Sequence, residues 1–250
     1  MNAAFYNANI LANQAVADGI FLLTVGGVSP APRAGQFYML RTWAQNEPPL
    51  LSRPISVFDA DETAGTVSFL YEVRGIGTEK LAAAKAGETL QLTGASGNGF
   101  AVEELSGKIA LVGGGIGIAP LYYLAKTLAA KGCEVHFYAG FRDKPYMLDA
   151  FSAVCKAVSL ATDSGNYGHK GFVTDVFSPT GYSAVCVCGP EIMMDKIARS
   201  ATAAGVRAYV SKEAKMACGV GACLGCTCKT RNGGKSVCKD GPVFRAEDLL

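Results

Sequence analysis

Cys218, Cys223 and Cys226 are spaced C-x4-C-x2-C, and Cys238 follows after eleven intervening residues. Four thiolates at this spacing suit a [2Fe–2S] cluster, two for each iron. The first loop, Cys218-Gly219-Val220-Gly221-Ala222-Cys223, is rich in glycine. Such a loop folds tightly and can aim backbone N–H groups at sulfur. Zinc is the competing reading, because four cysteines also satisfy that ion. A fifth thiol, Cys228, lies two residues beyond Cys226 and is expected to stand outside the ligand set. Cys133, Cys155 and Cys186 read as small core hydrophobes. Cys188 differs, since Gly189-Pro190 follows it at a strand-to-helix turn. Doubly wound sheets place ligands at such turns, so Cys188, Gly189 and Pro190 are expected to line a cofactor site.

A second constellation is phosphate chemistry. Gly113-Gly114-Gly115-Ile116-Gly117-Ile118-Ala119-Pro120 follows an apolar strand and opens a helix. Gly113, Gly114, Gly115 and Gly117 would let a pyrophosphate approach the backbone at the helix N-terminus. Pro120 suits the first helical turn, where a missing N–H costs little. The spacing is not G-x-G-x-x-G, so a packing-driven tight turn remains the alternative. Arg53-Pro54-Ile55-Ser56 offers a guanidinium and a hydroxyl for charge-assisted bonds to a diphosphate. Leu70-Tyr71-Glu72 supplies an aromatic ring for stacking, and Gly77-Thr78 a helix N-terminus. Each also has an ordinary reading as strand or cap chemistry.

These residues need positioning elements, and the chain divides into three kinds of sequence. Up to about residue 99, short β-type runs (Ile20–Val25, Gln36–Arg41, Ile55–Phe58, Val67–Val73, Thr89–Thr93) alternate with Gly, Pro and Asn/Asp clusters, which predicts a small antiparallel barrel. One helix is predicted over Gly77–Ala86 with Thr78 as N-cap. From about residue 107 to 211, apolar strands alternate with helices, which predicts a parallel α/β sheet. The last stretch, 212–250, has no clear periodicity and is too short to hold itself together by core burial, so a metal centre should staple it. The predicted domains are 1–102, 103–211 and 212–250.

Composition narrows the class. Of 250 residues, 50% are hydrophobic and 18% charged, which supports a sizeable core and excludes global disorder. The net charge of +2 argues against nucleic acid or an anionic membrane surface as main partner. No secretory signal is visible in Met1–Ala17 and no run is long enough to be a transmembrane helix, so a cytoplasmic protein is expected. With five of the nine cysteines in the last 33 residues, metal or redox chemistry is a better reading than disulfides.

The order of R-P-x-S at Arg53–Ser56, a glycine loop ending in Ala119-Pro120, and Cys188-Gly189-Pro190 resembles the ferredoxin–NADP reductase superfamily. The tail, with Met216-Ala217-Cys218-Gly219-Val220-Gly221-Ala222-Cys223 and Val237-Cys238-Lys239-Asp240-Gly241-Pro242-Val243-Phe244, resembles the electron-transfer subunit of NAD-dependent (B-type) dihydroorotate dehydrogenase. The resemblance covers essentially the whole chain. It implies an α+β multidomain fold: an antiparallel β-barrel binding FAD, a parallel α/β domain binding NAD, and a small C-terminal iron–sulfur segment. Arg53–Ser56, Leu70–Glu72 and Gly77-Thr78 would then hold FAD. Cys218, Cys223, Cys226 and Cys238 would hold the [2Fe–2S] cluster. Cys228 departs from the pattern.

The resemblance further implies an oxidoreductase subunit of pyrimidine biosynthesis. It would pass electrons from the FMN of a catalytic partner, two of each chain in a heterotetramer, through [2Fe–2S] and FAD to NAD. No residue here is expected to act as acid or base, and dihydroorotate oxidation would require the partner. The alternative is a diaphorase-like subunit of a hydrogenase or of a ferredoxin:NADP oxidoreductase. NAD and NADP are not distinguished, because Arg142 and Asp143 argue in opposite directions. His136 and His169 read as structural or surface residues.

Overall fold

In Ile20–Gly26 and Thr66–Glu72 buried residues recur at roughly every second position, and Val25 and Val67 meet as cross-strand partners with both side chains inside. That period of two closes a barrel. The computed structural model describes residues 4–249. Its barrel contains β1 (Ala4–Ala17), β2 (Ile20–Gly26), β3 (Phe37–Arg41), β4 (Arg53–Asp61), β5 (Thr66–Glu72) and β6 (Thr89–Ser96), closed in the order β1-β2-β5-β4-β3-β6.

The predicted strands are present, with ends shifted by a few residues, but β1 was not anticipated. Its alternation, Ala8 and Ile10 inward with Asn7 and Asn9 outward, is broken by a register shift between Ile10 and Ala12. The remainder therefore carries no readable period. Helix α1 (Ile76–Ala83) fills the link between β5 and β6. Here the expectation needs correction: Gly75 is the N-cap and Thr78 sits at the third helical position. The Thr78 hydroxyl accepts from the backbone N–H of Arg74 and Gly75, closing the turn from inside the helix.

The second unit is a seven-stranded sheet. β7 (Lys108–Gly114), β8 (Glu134–Phe141), β9 (Ala157–Thr162), β10 (His169–Lys170), β11 (Ala184–Cys188) and β12 (Arg207–Ser211) are parallel in the order β10-β9-β8-β7-β11-β12. The order reverses at β7, so the crevice beyond β7 and β11 is the sheet's switch point. Helices α2 (Ala119–Ala130), α3 (Leu148–Val154), α4 (Val173–Val176) and α5 (Glu191–Ala203) complete the layers. α2 also packs on the barrel, where Tyr122 stacks on Phe58 at 4.5 Å and Lys126 reaches the Asp59 carboxylate and the Ala60 carbonyl. One hydrophobic core runs across this junction, from Ile20, Phe58 and Leu70 of the barrel to Leu121 and Leu124.

The C-terminal stretch contains a hairpin of β13 (Thr227–Thr230) and β14 (Gly233–Ser236), then α6 (Val237–Asp240), β15 (Val243–Arg245) and α7 (Ala246–Leu249). β15 adds to β12 antiparallel, as the sheet's seventh strand. Core burial therefore contributes more to this stretch than its length led us to expect. Val237, Cys226, Cys238 and Phe244 also form a small core with Phe37 and Met39 of β3. The predicted boundary at 211/212 separates a segment whose last strand belongs to the preceding sheet, and the outer limits 1 and 250 lie outside the described residues.

Candidate functional site

A cleft opens where barrel and sheet meet. Eight of the predicted residues line it: Arg53, Pro54, Ile55 and Ser56 from β4, Leu70, Tyr71 and Glu72 from β5, and Thr78 from α1. Adjacent antiparallel strands bring the first seven together, so residues distant in sequence share one wall. Arg53 donates through Nη2 to the Leu51 carbonyl at 2.6 Å, while its buried Nε has no partner among the described residues. Arg53 lines the cleft, and a guanidinium with an unpaired buried N–H fits an anionic group such as a diphosphate. Gly77 explains the close approach, because a Cβ there would lie 2.9 Å from Arg53 Cδ. Gly77 itself does not line the cleft; it makes room for the arginine.

Tyr71 departs from expectation. Its side chain is 2% exposed, its ring stacks against Phe21 at 5.9 Å, and its hydroxyl donates to Asn13 Oδ1 at 3.2 Å. The ring belongs to the barrel core, so it is no free stacking platform. Burial pushes its phenol up, away from ionisation.

The far wall comes from the sheet. Ile116, Ala119 and Pro120 of the glycine loop line the cleft, whereas Gly113, Gly114, Gly115 and Gly117 do not. Gly113, Gly114 and Gly117 serve packing at the switch point, whereas Gly115, where a Cβ would meet nothing, holds a left-handed backbone (φ 55°). A Cβ on Gly117 would lie 2.6 Å from the Cys188 carbonyl, and one on Gly114 2.8 Å from Pro190 Cδ. Cys188 and Gly113 are register partners on adjacent strands, so the two motifs do meet. Cys188, however, is 1% exposed in the core and does not line this cleft. All five residues of β11 are buried, leaving its parity unreadable from sequence. Burial pushes the Cys188 thiol up to about 12.

Sequence reading missed the segment after β12. Lys212, Glu213, Ala214 and Met216 close the cleft, beside Arg74, which pairs with Glu72 at 2.6 Å. The available signal was position: a segment leaving the carboxyl end of a strand near the switch point is where ligands are met.

Two residues past Met216 begin the cysteines. Cys218 and Cys223 lie within hydrogen-bonding reach of each other, and so do Cys226 and Cys238. Among the described residues no three His, Cys, Asp or Glu side chains converge as one metal ion requires. Two pairs suit two irons sharing sulfide better than one tetrahedral zinc. Backbone N–H groups approach the sulfurs: Val220 to Cys218 at 3.5 Å, Gly221 to Cys238 at 3.1 Å, Gly225 to Cys223 at 3.4 Å and Cys238 to Cys226 at 3.4 Å. Burial acts to raise the Cys218 thiol, but the N–H groups of Val220, Cys223 and Ala222 and the Cys223 thiol together hold it at about 6. Burial and the Cys226 thiol push Cys238 up to about 12. Cys228 lies on β13, half-buried and opposite Lys235, and belongs to neither pair.

A closed six-stranded barrel joined to a parallel sheet, with a cleft between them and a paired-cysteine loop beside it, defines an oxidoreductase of the ferredoxin–NADP reductase fold. Comparison with known proteins agrees. A structure described as the NADH-dependent reduced ferredoxin–NADP oxidoreductase of flavin-based electron bifurcation matches with TM-score 0.84 and 30% identity, covering 97% of this chain and 89% of that one. A Neisseria gonorrhoeae ferredoxin NADP+ reductase, 16% identical with TM-score 0.65 over 80% of this chain and 92% of its own, shares the fold.

The model for the iron–sulfur cluster binding domain of dihydroorotate dehydrogenase B matches residues 213–250. The dihydroorotate dehydrogenase B (NAD(+)) electron transfer subunit of Clostridium acetobutylicum is 50% identical over 95% of this chain and 94% of its own. That of Clostridium perfringens is 41% identical over 100% and 99%. The chain belongs to the family of electron transfer subunits of dihydroorotate dehydrogenase B (NAD(+)).

Proposed function

We propose that this chain links a catalytic, dihydroorotate-oxidising subunit carrying FMN to NAD, and serves pyrimidine biosynthesis as an oxidoreductase component. Bound FAD supplies the conversion the task requires, since a flavin exchanges two electrons with a nicotinamide and single electrons with an iron–sulfur cluster. Arg53 and Ser56 would hold the FAD diphosphate, with Pro54 and Ile55 shaping the strand between them. Leu70, Tyr71 and Glu72 would wall the same cofactor, and Gly77-Thr78 would seat Arg53 and close the turn of α1. Cys218 with Cys223, and Cys226 with Cys238, would each hold one iron. Gly113, Gly114, Gly115 and Gly117, with Cys188, Gly189 and Pro190, would shape the switch point at which the nicotinamide nucleotide binds. The units 1–102, 103–211 and 212–250 then correspond to flavin, nucleotide and cluster, the last lending one strand to the second.

The observation that carries this reading is the short bridge between the cysteine loop and the cleft. Gly219 packs on Met39 so closely that a Cβ would lie 2.5 Å from Met39 Cγ. Met39 is the register partner of Pro54, and Phe37, partner of Ser56, lines the cleft itself. One barrel strand therefore separates loop from cleft. On the other side of the loop Val220 and Leu224 are 45% and 65% exposed, and Leu224 holds a left-handed backbone (φ 57°). Exposed apolar residues beside a redox loop suit docking of a protein partner. Two copies of each chain, in the cytoplasm, complete the proposal; among the described residues no helix is long and apolar enough to cross a membrane.

The test is co-purification with an FMN-containing catalytic subunit, with absorption spectra of each component. Flavin bands and a broad cluster shoulder in this chain alone support the reading. Their absence after anaerobic purification contradicts it.

A further inference from the structure

The stretch from Ala214 to Lys239 contains Lys215, Lys229, Arg231, Lys235 and Lys239 and not one Asp or Glu. The whole chain is only +2, so the remaining residues are net acidic. All five cations are exposed, and among the described residues none of their side chains makes an ion pair or hydrogen bond. A lysine stands beside every piece of backbone that supplies a proposed cluster cysteine. Lys215 lies three residues before Cys218, Lys229 three after Cys226, and Lys239 directly after Cys238. The Lys239 stem packs on the loop itself: a Cβ on Gly221 would lie 2.7 Å from Lys239 Cδ. Lys229 and Lys235 stand on the two strands of the hairpin, as register partners of Gly234 and Cys228. In the same segment the apolar side chains of Val220 and Leu224 are exposed.

A one-signed face of this kind can meet nucleic acid, an anionic membrane or an acidic protein surface. Nucleic-acid strands are gripped by cations together with aromatic stacking platforms, and duplexes by a helix or ribbon in a groove. Residues 214–239 contain no Phe, Tyr, Trp or His. A membrane surface is held by an amphipathic helix, and α6, which begins in this segment, has four residues. A second copy of this chain would bring like charge against like, which opposes association. Protein interfaces, by contrast, place apolar residues at the centre and charged ones at the rim. Val220 and Leu224 with lysines on the flanking backbone have that composition.

We propose that Lys215, Lys229, Lys235 and Lys239 form a cationic rim that docks an acidic rim on the FMN-carrying subunit, so that assembly of the two chains is electrostatically steered. The assignment rests on the reading that this subunit meets the cysteine loop. The lysines act before contact: their summed field draws the partner in and turns the exposed sulfur loop toward it. The apolar pair then supplies the contact that excludes water.

The test uses the full-length chain with FAD and cluster in place and the purified FMN-containing subunit. Association is followed by stopped flow from about 0.05 to about 0.5 M NaCl, across which screening shortens to a few ångströms. The association rate should fall by on the order of tenfold or more over that range. Lys215→Glu, Lys229→Glu and Lys235→Glu combined should bring the low-salt rate down to about the high-salt level, whereas arginine at the same positions should keep it. NADH oxidation with an artificial acceptor and the cluster spectrum should be unchanged in these variants. Lys239 is left in place because its stem packs on the loop. A salt-independent rate, or assembly at full rate by the triple glutamate variant, would overturn the acidic-rim assignment. So would lysine-dependent binding to a DNA duplex or to phosphatidylserine vesicles with assembly unaffected. Failure of the two chains to associate at any salt, or normal assembly by Leu224→Asp, would instead sink the docking reading itself.

Discussion

At the residue scale, Arg53 carries the heaviest single load. Its buried Nε has no protein partner among the described residues, although Nη2 is anchored to Leu51. Arg53→Ala would remove the charge-assisted hydrogen bond proposed to the FAD diphosphate, worth about 1.5–3 kcal/mol. FAD affinity should therefore fall roughly tenfold or more by equilibrium dialysis, and an unchanged affinity would place the diphosphate elsewhere. The cysteines separate just as cleanly. Alanine at Cys218, Cys223, Cys226 or Cys238 should abolish the [2Fe–2S] spectrum, while Cys228→Ala should leave about two irons per chain by metal analysis. Cys188 gives a contrasting expectation. Its raised value of about 12 leaves the thiol protonated at pH 8, and burial shields it, so iodoacetamide should not label it in the folded protein. The four cysteines could be proposed as ligands from sequence because cluster chemistry constrains spacing along the chain. The orientation of Cys188 was not legible, because in a strand buried on both faces neither parity marks a cleft.

At the element scale, the strands with clean alternation were legible, and the failures have physical causes. β1 lost its period at a bulge, and its Asn13 serves a tertiary need, donating to the carbonyls of Leu81 and Ala84 at the end of α1. β15 is only three residues long, and what makes it a strand is an unpaired edge on β12, which no local pattern announces. This tail is held by ordinary burial too: Phe244 is 7% exposed and packs with Phe37, Met39 and Val237. Phe244→Ala should cost about 3–5 kcal/mol by denaturant unfolding and loosen the cysteine loop. The apo-protein should nevertheless keep β15 paired, observable as slow amide exchange at Val243–Arg245. Fast exchange there after cluster removal would mean that the metal alone organises the segment.

At the scale of the whole molecule, three units are joined without a long linker. Tyr122 on Phe58 and Lys126 on Asp59 fix the sheet against the barrel, and the tail touches both. The cleft lies at the junction, the cysteine loop one strand away from it, and Val220 and Leu224 on the loop's exposed side. Among the described residues no further unit is left over for a dihydroorotate pocket with its own flavin and proton acceptor, which is consistent with the proposal that a partner supplies them. The central claim is thus a division of labour, and steady-state rates with each donor test it most directly. The chain alone should oxidise NADH with an artificial acceptor and show no dihydroorotate-dependent reduction of NAD. Adding the FMN-containing partner should create that second activity, and alanine at the cluster cysteines should abolish it while sparing NADH oxidation where FAD stays bound. Dihydroorotate turnover by the single chain, or full coupled activity without the cluster, would contradict the account.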